Sequence, residues 1–170
     1  MKVNLRLEVK ENDANKIIRW LKDENITKYL NEDIASIDSL ESVIKNKQAD
    51  LLTYYLNQCG RFFLIDSTEE KCIGFLNLFP YIPNKEYEIV IAIGDERNWG
   101  KQYGKDTIIS IMREVFLKWR IKKVFAKVHI DNKRSIEMFE HLNFINEGVK
   151  NNHYIYSMDF DTYLKLLSEK

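Results

Sequence analysis

Two glycines spaced by four, Gly100 and Gly104, lie in the run Glu96-Arg97-Asn98-Trp99-Gly100-Lys101-Gln102-Tyr103-Gly104-Lys105. An apolar stretch precedes this run and a helix-like pattern follows it. Such residues at a strand-to-helix turn are suited to holding anions. A residue without a Cβ lets the backbone approach a ligand, the first amides of a helix lack partners, and the helix dipole favours negative charge. The turn therefore predicts a phosphate-bearing ligand over residues 100–105. It is not a Walker A loop, because Gly104-Lys105 is followed by Asp106, whose carboxylate would repel phosphate. The G-x-G-x-x-G triplet of a dinucleotide site is absent as well.

A second chemical feature precedes the turn. Glu86 and Glu88 sit on one face of Tyr87-Glu88-Ile89-Val90-Ile91-Ala92-Ile93, where burial raises a carboxyl toward the basicity a general base needs. A salt-bridged edge carboxylate is the other reading of Glu88. His129, His141 and His153 do not cluster as a zinc site and Cys59 and Cys72 fit no metal spacing, so no metal is expected. A thiol acyl-enzyme is not expected either.

At 170 residues, 45% hydrophobic and 31% charged, the chain reads as one globular domain. Lys and Arg number 26, as do Asp and Glu, so no net field favours nucleic acid. No 18-residue apolar stretch and no signal-peptide pattern appears, and the cysteines read as unbridged. These features predict a cytoplasmic protein with no membrane partner, as monomer or homodimer.

The elements that position these residues follow from periodicity. Val3–Val9 alternates as a strand, and Asn12 or Asp13 can cap a helix carrying Ile17, Ile18 and Leu21. A second helix is predicted over 39–56, ending at Gly60. Strands are predicted at 61–66, at 72–78 (closed by Pro80 and Pro83) and at 86–93. Apolar residues from 108 to 119 mark a helix packed on the sheet. A strand at 123–130 and a short helix after Asn132 follow, then strands at 144–149 and 153–158 and a closing helix at 161–168.

This order, with the glycine loop between the fourth strand and its helix, resembles the GNAT N-acetyltransferase superfamily over essentially the whole chain. The segments Arg19–Leu30 and Gly94–Gly104 are similar to its RimJ/RimL-type branch. Asn132-Lys133-Arg134-Ser135 through Asn143-Phe144 matches the second signature of the superfamily. There are departures. Aligned on Gly104, the family's usual Gln/Arg-x-x-Gly-x-Gly/Ala loop has Trp99 first and Gln102 at its first glycine. A residue with a Cβ fits there if its φ is negative. Phe139 stands where the superfamily often has an acidic Tyr, and Asn143 where it has Gly.

The resemblance implies an α/β (α+β) fold. Its sheet is mixed, mostly antiparallel and six- to seven-stranded, with helices on both faces and a splay between strands 4 and 5 caused by a bulge in the fourth. It implies acetyl-CoA as cosubstrate, with the pantetheine arm along Val90, Ile91, Ala92 and Ile93. The pyrophosphate would lie on Trp99, Gly100, Lys101, Gln102, Tyr103, Gly104 and Lys105. Glu88 is the implied base, with Glu86 as rival. Ser135 would assist the leaving thiol or bond its helix, and Asn132 would bind pantetheine, cap its helix, or both.

Tyr29 and Trp20 line an acceptor cleft or belong to the core. The acceptor is a small-molecule or peptide amine: a protein N-terminus, polyamine, amino acid or aminoglycoside. Glu24, Glu32, Asp33, Asp38 and Glu41 would supply an acidic cleft for an aminoglycoside, or form solvated helix faces. The competing reading is a non-catalytic acyl-CoA sensor, which Phe139 permits.

Overall fold

The computed structural model describes residues 2–30 and 36–168. The expected sheet forms from seven strands in the order β1-β2-β3-β4-β5-β7-β6. These are β1 Val3–Arg6, β2 Arg61–Ser67, β3 Gly74–Ile82, β4 Glu86–Ile93, β5 Lys123–His129, β6 Ile145–Lys150 and β7 His153–Asp159. Every neighbouring pair is antiparallel except β4 and β5, which run parallel.

Helices cover both faces, as the resemblance implies. On one face lie α1 Glu11–Leu21, α3 Ile37–Lys45 and α4 Leu52–Leu56, whose Ile17, Leu40 and Leu56 pack with Phe62, Phe75 and Val90. On the other lie α5 Tyr103–Arg113, α6 Lys133–His141 and α7 Phe160–Ser168. Their Ile108, Phe139 and Tyr163 pack with Leu76, Ile89 and Val124. A short helix α2, Glu24–Thr27, follows α1.

Several boundaries differ from the periodic reading, each for a local reason. β1 stops at Arg6 because its pairing with β2 ends there, and the Val9 N–H bonds the Thr53 hydroxyl instead. α1 starts at Glu11, not after Asn12 or Asp13; Asp13 lies inside the first turn and accepts from the Lys10 N–H. The helix expected over 39–56 is two helices. The chain turns at Lys47, whose φ is +53°, and a 3-10 turn at Ala49–Leu51 leads into α4. The acidic residues Glu32 and Asp33 lie outside the described residues.

Pro80 does not end β3. β2 pairs only with Gly74–Leu78, so beyond Leu78 one side of β3 is an edge and a residue without an N–H costs no ladder bond there. The bulge expected in β4 is displaced to β3. Along that pair the register shifts between Pro80 and Ile82, and β4 itself pairs without interruption from Tyr87 to Ile93.

Candidate functional site

The parallel ladder between β4 and β5 holds for only three pairs, Glu86 with Lys123, Tyr87 with Val124 and Glu88 with Phe125. Beyond Glu88 each strand follows its antiparallel partner. β4 stays with β3 to Gly74, while β5 stays with β7 out to His153. With right-handed twist in both halves, two strands held from opposite sides separate. The backbone of Ile89–Ile93 therefore has no ladder on its β5 side.

A cleft of about 420 Å³ opens over this gap. Ile91, Ala92 and Ile93 of β4 line one wall, Trp99, Gly100, Gln102, Tyr103, Gly104 and Lys105 the next, and Asn132 and Ser135 of α6 the third. A smaller cavity of about 40 Å³ continues from it between the strands, lined by Val90, Lys127 and Phe139 among others. Tyr29, Leu30, Ile91, Asn132 and Ser135 line both. Of the candidate catalytic, cofactor and acceptor residues read from the sequence, Lys101, Glu88, its rival Glu86 and Trp20 line neither.

The loop takes an unusual backbone path. Gly100 has φ +74° and open space where a Cβ would stand. Gln102 has φ +68°, the left-handed conformation, and is the residue before the first turn of α5. The negative φ expected for this non-glycine residue is thus not found. The left-handed form costs an L-residue roughly 1–2 kcal/mol. Local strain of that kind gathers where a backbone must present amides to a ligand. Gly104 is already helical, and a Cβ there would meet the Met138 Sδ at 3.0 Å. Asp106 turns away from the loop, its Oδ2 accepting from the Lys2 N–H at 2.8 Å.

Trp99 is fixed on both sides. Its indole Nε1 donates to the Ile93 carbonyl at 2.8 Å, and the Arg134 guanidinium lies 3.6 Å from its ring centre. Asn132 caps α6, its Oδ1 accepting from the Ser135 N–H at 3.3 Å, which leaves Ser135 on the cleft wall. Phe139 is buried, stacked on Tyr156 at 5.9 Å. The Tyr156 hydroxyl donates to Glu140 Oε1 at 2.9 Å; burial, then that bond, pushes the phenol up to about 12.

Glu88 is buried, and its Oε2 lies 2.7 Å from Lys127 Nζ. Glu88 is thus ion-paired, as one reading had it, but it lies between β3 and β5 and not at an edge. Lys127 lines the smaller cavity, so the pair reaches the gap through the ammonium. Glu86 lies further from the gap, at the start of β4.

Tyr29 stands at the cleft with its ring on His129 at 5.4 Å, and His129 in turn meets His153 at 5.2 Å. Trp20 is a core residue, 1% exposed. A Cβ on Gly94 would come within 2.0 Å of its ring, so only glycine lets β4 end against it. Among the described residues no group of three His, Cys, Asp or Glu is placed to hold a metal, and no helix is long and apolar enough to cross a membrane.

Sequence reasoning missed Asn25, Ile26, Arg134, Glu137, Met138 and His141 as cleft residues. Arg134 had a usable signal, lying between Asn132 and Ser135 on one helical turn. Met138 and His141 follow it at i+4 and i+7 on the same face of α6, whereas Asn25 and Ile26 carry no signal, since α2 meets the cleft only through the fold.

The family model for the acetyltransferase (GNAT) domain matches residues 3–145. The chain belongs to the GNAT acetyltransferase family. It is 24% identical over 142 residues to an uncharacterized N-acetyltransferase p20 of Bacillus licheniformis, covering 81% of this chain and 76% of that one. Among solved structures it is similar to a spermidine N-acetyltransferase from Vibrio cholerae in complex with CoA and spermine. The TM-score is 0.72 at 19% identity, over 96% of this chain and 98% of that one. A GNAT-family acetyltransferase from Bacillus anthracis gives a TM-score of 0.74 at 15% identity, over 95% and 96%. At such identities the structural likeness establishes the fold. This GNAT protein is an N-acetyltransferase, and the acceptor is a separate question.

Proposed function

We propose that this enzyme transfers acetyl from acetyl-CoA to a primary amine by direct attack, in the manner of the RimJ/RimL-type branch. The observation that carries the reading is the loss of β4–β5 pairing beyond Glu88, in a gap continuous with the loop of residues 100–105. Acetyl-CoA supplies an acetyl group activated as a thioester. Val90–Ile93 would take its pantetheine arm as an added strand, with backbone groups that β5 does not use. The amides at the start of α5 would receive the pyrophosphate, and the open space at Gly100 fits such a close approach.

The residues then have separate tasks. A lysine-like ammonium has pKa of about 10.4, so the acceptor must lose a proton before attack. Glu88, in contact with the gap through Lys127, is the base, directly or through water. A β4 amide facing the gap stabilises negative charge developing on the acetyl oxygen. Ser135, on the wall shared by both cavities, assists the leaving thiol. Tyr29 bounds the acceptor side.

The lining bears on the acceptor. Glu137 is the one carboxylate among the described cleft residues, while Lys105 and Arg134 are cationic. Glu24, Asp38 and Glu41 do not line it, and Glu41 is paired with Lys22. This favours an acceptor of low charge, such as a peptide N-terminus or an amino acid, over a polycationic aminoglycoside.

The test is release of free CoA thiol from acetyl-CoA with a panel of a peptide N-terminus, an amino acid, a polyamine and an aminoglycoside, with products read by mass spectrometry. Acetylation of one amine is expected. Tight CoA binding with no acetylated product from a broad panel would favour the sensor. Gly104→Asp, which adds bulk against Met138 and a charge at the loop, should weaken acetyl-CoA binding by at least ~2 kcal/mol. Unchanged affinity in a folded variant would move the cofactor elsewhere.

A further inference from the structure

Two guanidinium groups in this protein lie over indole rings. Arg61 sits 4.1 Å from the Trp119 ring centre, away from the cleft. Arg134 sits 3.6 Å from that of Trp99, on the cleft wall. Three other arginines are engaged by carboxylates: Arg6 by Asp13 and Asp66, Arg19 by Asp95, and Arg97 by Glu70. Among the described residues no hydrogen bond or ion pair occupies Arg134. Glu137 is one turn further along α6 and also lines the cleft, but no ion pair joins the two.

The stack has a geometric consequence. A guanidinium whose face is covered by a ring keeps its N–H donors around its edge, in the plane, where they match two oxygens of a phosphate. Trp99 is itself held by its bond to the Ile93 carbonyl at the end of β4. The cation is thus pre-positioned from the same strand end that opens the cleft, across from the first turn of α5. Holding a long side chain in place before binding reduces the ordering cost that binding would otherwise carry.

From this arrangement we infer that Arg134, seated on Trp99, is a phosphate-binding residue that pairs with a phosphate group of the acyl-CoA. The inference rests on the acetyl-CoA reading of the cleft. It adds a side-chain cation from α6 to a cradle otherwise made of backbone amides from the loop. The phosphate chemistry is common to the pyrophosphate and the ribose 3′-phosphate, and dephospho-CoA separates them.

The experiment measures binding of CoA, dephospho-CoA and pantetheine by calorimetry to the full-length wild type, Arg134→Ala, Arg134→Lys and Arg61→Ala. Arg134→Ala should weaken CoA about ten- to a hundredfold, the range of a charge-assisted hydrogen bond. Arg134→Lys should restore part of that, because the charge returns without the planar fork. Pantetheine binding should be the same in all four proteins, and Arg61→Ala should match wild type throughout. An equal loss for dephospho-CoA assigns the pyrophosphate; a loss confined to CoA assigns the 3′-phosphate. Arg134 is exposed, so its variants should fold. If wild type prefers CoA to pantetheine and Arg134→Ala keeps that preference within about twofold, the inference is wrong while the cleft reading stands. If wild type binds CoA no better than pantetheine, the phosphate cradle itself is wrong.

Discussion

Two charged clusters are buried against the same helical layer, and they are built differently. In the first, the Arg6 guanidinium bridges Asp13 and Asp66, with contacts of 2.8 and 2.9 Å. The Lys10 and Cys72 N–H groups donate to the same two carboxylates. In the second, the Glu88 carboxylate meets the Lys127 ammonium where the sheet comes apart. The planar fork of arginine takes two carboxylates at fixed angles, whereas lysine is a flexible point charge. The first cluster closes the fold between β1, α1 and β2; the second borders a cavity. Buried carboxylates therefore sit in a structural clamp in one place and in an ion pair that borders a cavity in the other.

The largest effect should come from opening the clamp. Arg6→Ala leaves two buried carboxylates facing each other and should cost about 3–5 kcal/mol in denaturant unfolding. Burial pushes Asp13 and Asp66 up, but hydrogen bonds from Arg6 and from backbone N–H groups outweigh it and leave both below the ordinary carboxylate range. Depressed carboxylates contribute stability that is present above the unfolded value of about 3.9 and is lost as pH falls through the folded values. Wild type should therefore lose stability below about pH 4, and Arg6→Ala should lack that acid limb. An Arg6 variant as stable as wild type would erase the distinction between the clusters.

Next in size is the second cluster. Glu88→Gln should lower turnover about 10²–10³-fold with CoA binding unchanged, because it removes a base while keeping the shape. The wild-type rate should rise with pH along a limb that the variant lacks. Normal turnover with the same limb would hand the role to Glu86. Ser135→Ala should have a smaller effect, about ten- to a hundredfold, since a thiolate already leaves well. Phe139→Tyr should add little to wild type but partly rescue Ser135→Ala; a large gain in wild type would mean that the natural protein lacks a working acid.

Much of this contrast was legible in the chain. A continuous apolar run marked β4 and alternation marked β5, and the glycine loop marked the head of α5. Glu88 stood out as a charge within an apolar strand. Its partner did not, because Lys127 alternates like any exposed strand residue and becomes a partner only through the register of two parallel strands. Trp20 read as cleft or core, and its burial places it in the core. Pro80 read as a strand end because no local rule says how far β2 accompanies β3. The smallest prediction concerns a residue whose conformation the sequence misjudged. Gln102→Gly should raise unfolding stability by up to about 1 kcal/mol, as relief of the left-handed strain is partly offset by glycine's greater freedom when unfolded. No gain would mean that the loop relaxes before any ligand arrives.

The protein has two cysteines, and their surroundings make them unequal as reagents. Cys72 is buried, and burial, with Asp13 adding to it, pushes its thiol up to about 12, so it will be slow to alkylate or oxidise in the native protein. Cys59 is exposed just before β2. Any colorimetric count of released CoA will therefore carry a background of one protein thiol per chain, rising to two on denaturation. The same inequality makes Cys59 a natural single attachment point for a fluorophore, with Cys72 reporting by its appearance that the clamp around Asp13 and Asp66 has come open.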